Sequence, residues 1–523
     1  MAMRRLVILC HRWLGIPLSV LFVVWIVSGV VMMYAGGMPQ LDAELRLERL
    51  APIDLAAVRL TPAEAAERGG VFAGAPGTTT LLTVAGRPAY RFGTGAYATT
   101  VFADDGEVLA PLDAEASRSI AATFLGIPPA DVRFVRTVTQ PDQWTLTEVR
   151  ELPLHKLKVD DAAGTEVYVS PQRAEVVLVT TTRTRALAWA GTIPHWFYFT
   201  ALRTNQPLWY SSVVGASAFA CVLAALGLVL AVTQWRRSRP FSLAASIRYR
   251  GWMRWHYILG AVFGVFALTW AFSGLMSMEP FDWTNERGLA VPRNALAGGQ
   301  LDLDAFGRID AAQWSALLGG RNLKELELVR IHDAPYYVAR TAPEKPAEEI
   351  LRRERLHQPY NVAGRRLSAE LLVAASTMSI RGEPFSTDEI LRRLALVLPD
   401  DVHATSASTL HDYDDYYYSR AGRLPLPVLR IELDDPLETW LYVDPFKSRI
   451  VSEVHRLSRV ERWLFNGLHS FDFSFWHGRR PLWDIGMILL SAGALASSGI
   501  GLVLGCRRLA RAAARRTARW NQP

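Results

Sequence analysis

Four long apolar runs stand out along the chain: Leu6–Tyr34, Leu208–Trp235, Tyr257–Met278 and Leu482–Gly505. Each is long enough to cross a bilayer as a helix, which takes about 20 residues. Between them the pattern changes to short alternating stretches. LLTVAG, AYRF and TTVFADDGEVL in the first long interval alternate as strands do, with Asp105-Gly106 as a turn. HKLKVD, TEVYVS and AEVVLVT alternate again, as do APYYVART, VLRIELD and ETWLYVD in the second interval. TPAEAAER from Thr61, AEASRSIAATFLG, DAAQWSALLG, AELLVAAS and TDEILRRLALVL read as helices. Aromatic-rich stretches, TRALAWAGTIPHWFYFTALR and RVERWLFNGLHSFDFSFWHGRR, precede the second and fourth apolar runs; Trp and Tyr favour the headgroup level, so both are expected along a membrane surface. The organisation predicted is helix 1–35, water-facing domain 36–206, helix 207–235, basic loop 236–254, helix 255–278, water-facing domain 279–481, helix 482–506 and basic tail 507–523.

The pattern also repeats. HRWLGIPLSVLFVVWIVSG (His11 to Gly29) returns as HYILGAVFGVFALTWAFSG (His256 to Gly274), aligning His11 with His256, Gly15 with Gly260, Trp25 with Trp270, Ser28 with Ser273 and Gly29 with Gly274. Farther on, His195 aligns with His469, Phe197 with Phe471, Pro207-Leu208-Trp209 with Pro481-Leu482-Trp483, and Gly227-Leu228-Val229-Leu230 with Gly501-Leu502-Val503-Leu504. Upstream in that register, Tyr168-Val169-Ser170-Pro171 aligns with Tyr442-Val443-Asp444-Pro445. The fold class expected is a membrane protein of four transmembrane α-helices, a two-fold internal repeat, with two α+β outward domains.

Charge orients it. Arg4 and Arg5 precede the first run; Arg236, Arg237, Arg239, Arg248, Arg250 and Arg254 lie between the second and third; Arg507, Arg508, Arg511, Arg515, Arg516 and Arg519 follow the fourth. The positive-inside rule puts these three stretches, and both termini, in the cytoplasm. The net charge of +7 comes mainly from this asymmetry and not from a nucleic-acid-binding face. The apolar core of the first run exceeds a signal peptide's and carries half the repeat, so it reads as a retained helix. The three cysteines, Cys10, Cys221 and Cys506, lie in or beside apolar runs, leaving no disulfide framework outside and no CxxCH for covalent haem.

The candidate chemistry lies in the repeated histidines. An ionisable residue in a membrane helix is costly and marks function by default. His11, Gly15 and Gly29 share one helical face, as do His256, Gly260 and Gly274. Such a face suits a flat macrocycle with a histidine on its iron; it equally suits a close helix–helix contact through small residues, with the histidine hydrogen-bonded across it. Repeat symmetry pairs His11 with His256 at one depth and His195 with His469 at another. Two bis-imidazole haem b groups would leave iron no open position, which suits electron transfer. His477 competes with His469 as a ligand. Arg12, Arg203 and Arg254 could pair haem propionates, although topology alone accounts for them. His155, His332, His357, His403, His411 and His455 read as surface residues. The run His411 to Tyr418, rich in Asp and Tyr, reads as the turn and strand equivalent to Asp142-Gln143-Trp144. No Ser/His/Asp set, HExxH or phosphate loop is present.

HRWLG opening the first run, YVDP at Tyr442–Pro445 and NGLHSFDF before the last run resemble the PepSY-associated transmembrane family. The resemblance covers nearly the whole chain. The first half has Ser170 where the second has Asp444. The resemblance implies periplasmic PepSY-like domains, a bacterial inner-membrane location, two b-type haems and reduction of a ferric siderophore or ferric iron. The chain carries no flavin reductase module of the kind some relatives have, so the electron donor is expected to be separate, a quinol or a cytoplasmic protein. Two other functions fit the same sequence: a PepSY module that binds or restrains a periplasmic peptidase without haem, and a permease for metal or chelate, for which four helices with few buried charges make a poor path.

Overall fold

The computed structural model describes residues 2–71, 77–236, 242–284, 289, 291–342, 370–418, 424–477 and 479–520. The basic-loop residues Arg237 and Arg239, and His357, lie outside the described residues. The chain forms two compact units, one of Met1–Met38, Ala186–Asn285 and Leu457–Pro523, the other of Pro39–Arg185 and Glu286–Arg456.

The first unit is a bundle of four long helices, Ala2–Ala35, Gln206–Thr233, Gly251–Met276 and Leu482–Trp520. All four are long and apolar enough to cross a membrane. Their interior is made by Phe22, Ile26, Ala220, Leu223, Ala271 and Ala494, with Trp25 and Trp270 packed beside them. Val20, Val24, Phe219, Val262 and Leu489 point outward and exposed, as lipid-facing positions do. Small residues let the helices approach closely: a Cβ on Gly505 would stand 3.3 Å from Ile16.

The aromatic stretches before the second and fourth helices belong to this unit, from Ala186 and from Leu457, so its boundaries fall ahead of those expected at 206 and 481. The reason is packing. Phe197 stacks on Trp25 (5.8 Å between ring centres), and Phe471 meets Phe266 edge-on (5.9 Å). Both stretches break into short helices, Thr192–Trp196 and Thr200–Arg203 in one, Leu468–Ser470 and Ser474–His477 in the other.

Among the described residues the second unit holds three antiparallel sheets. One has seven strands in the order β11-β10-β9-β8-β1-β2-β3, with β1 Thr79–Val84, β2 Arg87–Phe92, β3 Thr99–Phe102, β8 Leu323–Ile331, β9 Ala334–Thr341, β10 Glu370–Ala374 and β11 Ser379–Ile380. Its core contains Leu81, Tyr90, Val101, Trp314, Leu326 and Tyr337. The others are four-stranded meanders. In one, β4 Val132–Val138, β5 Leu154–Val159, β6 Glu166–Ser170 and β7 Glu175–Thr180 lie under the helix Ala114–Leu125. In the other, β12 Ala404–Leu410, β13 Val428–Leu433, β14 Trp440–Asp444 and β15 Arg449–Val454 lie under the helix Thr387–Ala395.

Two expectations change here. The intervals 36–206 and 279–481 do not make separate domains: β1 pairs with β8, Leu81 opposite Leu326, so one sheet spans both. Each hairpin would otherwise leave an open strand edge, and the pairing closes both. AELLVAAS is also not helical. Glu370–Ala374 is strand β10, with Leu372 opposite Val338 of β9. A short apolar run has no period that separates helix from strand, and the available edge of β9 decides it.

Candidate functional site

In a helix the carbonyl of residue i accepts the N–H of residue i+4, and the side chain at i+4 leans back over it. A glycine at i+4 leaves that carbonyl open to a second donor. Three of the four repeated histidines dock on such a carbonyl. His11 Nδ1 donates to Leu223 O (3.2 Å), with Gly227 four residues on. His256 Nδ1 donates to Ser497 O (3.0 Å), with Gly501 four residues on. His195 Nδ1 donates to Trp25 O (3.1 Å), with Gly29 four residues on. The rings fill the space that the glycines leave: a Cβ would stand 3.0 Å from His11 Cε1 at Gly227, and 3.2 Å from His256 Cε1 at Gly501 and from His195 Cε1 at Gly29. His469 is held at the fourth equivalent place, its Nδ1 2.9 Å from Ser273 Oγ, whose own proton goes to Trp270 O (3.0 Å).

Carbonyl oxygens only accept, so the proton of these three rings sits on Nδ1. With the Ser273 proton on Trp270 O, Nδ1 of His469 donates to Ser273 Oγ and the tautomer is the same. Nε2 is then the nitrogen that can bind a metal.

The rings meet in two pairs. The centres of His11 and His256 are 6.3 Å apart, with 41° between planes, and those of His195 and His469 are 5.9 Å apart, with 78°. Along the first helix, His11 and Ser28, which also bonds His195 (3.0 Å), are separated by about 25 Å at the helical rise. The two pairs therefore mark two levels of one bundle.

The other glycines of the repeated motif have different surroundings. A Cβ on Gly15 would touch Leu223 at 3.7 Å and one on Gly260 would touch Ser497 at 3.5 Å, so each adjoins the residue whose carbonyl holds the neighbouring histidine. Among the described residues no atom lies within 4 Å of a Cβ placed on Gly274. Two residues after His195 and His469, Phe197 and Phe471 adopt φ of +56° and +48°. Bulky residues rarely take this left-handed conformation, and its recurrence at equivalent places fixes where both short helices end.

His477 packs on Trp483 (4.8 Å between ring centres), and it is His469 that faces His195. Arg203 lies over Tyr198 and Trp209. Among the described residues Arg12 and Arg254, half-buried beside the first pair, make no hydrogen bond or ion pair. The indole Nε1 atoms of Trp25 and Trp270 are buried with no acceptor among the described residues. Asp414 caps a turn, accepting from Tyr416 N (2.8 Å) and Tyr417 N and from Tyr442 OH (3.3 Å), as Asp142 accepts from Trp144 N (3.1 Å), Thr145 N (3.2 Å) and Tyr168 OH (3.2 Å). That structural duty accounts for the Asp/Tyr run. His155 and His332 are half-buried, bonded to Ser117 (2.8 Å) and Ser448 (2.8 Å).

The carbonyls of Leu223 and Ser497 and the docking role of Gly227 and Gly501 have no side-chain signature in the sequence. The repeated Gly-Leu-Val-Leu was the available signal, since it sets these two glycines in register.

Four spanning-length helices joined to a unit of antiparallel sheets define a polytopic membrane protein with a β-rich part. The chain belongs to the PepSY-associated TM region family, whose model matches residues 8–316. The match takes in His11, His195 and His256. No curated protein matches the chain.

Proposed function

We propose that the protein is a di-haem inner-membrane oxidoreductase that passes electrons across the bilayer to a ferric acceptor. The observation that carries the reading is the pairing of the four rings with Nδ1 tied back at each. Two imidazoles that ligate one iron from opposite sides, at about 2.0 Å each, put their ring centres about 6 Å apart. The separations of 6.3 and 5.9 Å fit that arrangement. His11 with His256, and His195 with His469, would hold the two haems, which supply one-electron redox chemistry. Gly227, Gly501 and Gly29 admit the rings, and the backbone carbonyls fix the tautomer that leaves Nε2 as ligand. Arg12 and Arg254 could neutralise propionates at the first level.

The chain is read as a two-fold internal repeat with both termini in the cytoplasm and a periplasmic β-rich unit built of PepSY-like halves. Each electron from a quinol or a cytoplasmic donor would reduce one ferric ion, siderophore-bound or free, to ferrous. A quinol would release two protons for every two electrons delivered.

Absorption spectra of the detergent-purified protein, oxidised and dithionite-reduced, with a pyridine haemochrome count, test this. Two haems per chain with six-coordinate b-type spectra are expected, and His11→Ala and His195→Ala should each remove one. Protein from haem-replete cells without a Soret band would sink the redox reading and favour a binding module.

A further inference from the structure

The two histidine pairs are held by different acceptors. The residue before the glycine is Leu226 at Gly227 and Ile500 at Gly501 by the first pair, but Ser28 at Gly29 and Ser273 at the equivalent Gly274 by the second. At the first pair, among the described residues, only main-chain carbonyls meet Nδ1, Leu223 O at 3.2 Å and Ser497 O at 3.0 Å. At the second pair a hydroxyl stands at each Nδ1, Ser28 Oγ at 3.0 Å from His195 and Ser273 Oγ at 2.9 Å from His469. Both serines are fully buried, so neither hydroxyl turns out to solvent. Each is oriented by donating into the preceding turn, Ser28 to Val24 O (2.6 Å) and Ser273 to Trp270 O (3.0 Å). Their oxygens are thereby fixed as acceptors toward the rings.

An amide carbonyl is the stronger acceptor of the two. A ring whose N–H is given wholly to a carbonyl gains imidazolate character and donates more electron density to a metal, which favours the oxidised metal. A ring that shares its N–H with an alcohol, as His195 does between Ser28 Oγ and Trp25 O, donates less. On the reading that the pairs ligate haem, we propose that Ser28 and Ser273 are positioning residues that make the His195–His469 site the higher-potential of the two. They would thus set the direction of flow, from the His11–His256 level to the His195–His469 level.

The test is spectroelectrochemical titration of the full-length protein in detergent, with the haem count taken on the same samples and His11→Ala used to assign the two midpoints. In the wild type the His195–His469 midpoint should be the higher. Ser28→Ala leaves Trp25 O as the acceptor that takes the whole bond, so that midpoint should fall while the other stays. Ser28→Thr, which restores the hydroxyl, should keep the wild-type value. If Ser28→Ala instead loses one haem, the same titration on Ser273→Ala decides: a lowered His195–His469 midpoint upholds the proposal and an unchanged one overturns it. Unchanged midpoints in Ser28→Ala, or a shift confined to the His11–His256 haem, would overturn it. Absence of haem from the wild type fails the redox reading itself, whereas two haems insensitive to Ser28 fail this inference alone.

Discussion

At the scale of single residues, the arrangement rests on four imidazoles whose orientation is decided one atom away from where chemistry would occur. A backbone carbonyl cannot donate, so it fixes the tautomer without relying on any side chain's protonation. The vulnerable point is therefore the glycine opposite. In Gly227→Ala the new methyl would stand 3.0 Å from His11 Cε1, which pushes the ring off Leu223 O. Loss of an orienting partner typically costs about 10- to 100-fold in metal-site affinity. On the proposed di-haem reading, haem titration into the apoprotein should show that loss at one site only. Gly215→Ala on the same helix, where no atom lies within 4 Å, should leave both sites intact. The histidines themselves were legible because they recur in register. Leu223 and Ser497 were not, since a carbonyl acceptor carries no side-chain signature and its use depends on which helix comes alongside.

At the scale of elements, the strands and helices with strong local signals are present in the structure. Thr61 and Glu64 make the capping box that the TPAEAAER pattern implies, and the hairpins around the Tyr-Val motifs form β6 and β14. What the pattern did not reveal is how elements join, and one such joint is ionic. Glu175 of β7 is buried and meets Arg91 of β2 (2.5 Å), Arg173 (2.8 Å) and Arg46. Burial would raise its pKa, but the three guanidiniums outweigh that and hold the carboxyl below the usual carboxylate range. A depressed folded-state pKa means the stabilisation is complete above the unfolded value, about 4.3, and drains as pH falls below it. Glu175→Gln leaves buried arginines uncompensated and should cost about 3 kcal/mol or more. Thermal unfolding followed from pH 6 downward should show a lower midpoint for the variant and a shallower acid dependence than the wild type. Equal slopes for the two would show that this glutamate is not the titrating group.

At the scale of the whole molecule, the four spanning helices follow from composition alone, whereas the seven-stranded sheet does not. The sequence repeat suggested two self-contained halves, each with its own water-facing domain. The β1–β8 ladder contradicts that by joining residues about 245 positions apart, Leu81 to Leu326. Such pairing is invisible to local periodicity because either strand would read the same with any partner. Residues 1–250 produced alone should expose the edge of β1 and aggregate, while the same half produced together with residues 251–523 should co-purify with it as a monodisperse species. A monodisperse isolated half would argue against the shared sheet. The ladder also bears on how the chain is made. β1 leaves the ribosome with its partner more than two hundred residues away and still unsynthesised, so for much of translation the cell holds a membrane-inserted intermediate with an unsatisfied strand edge. Only completion of the second half supplies the partner that closes that edge.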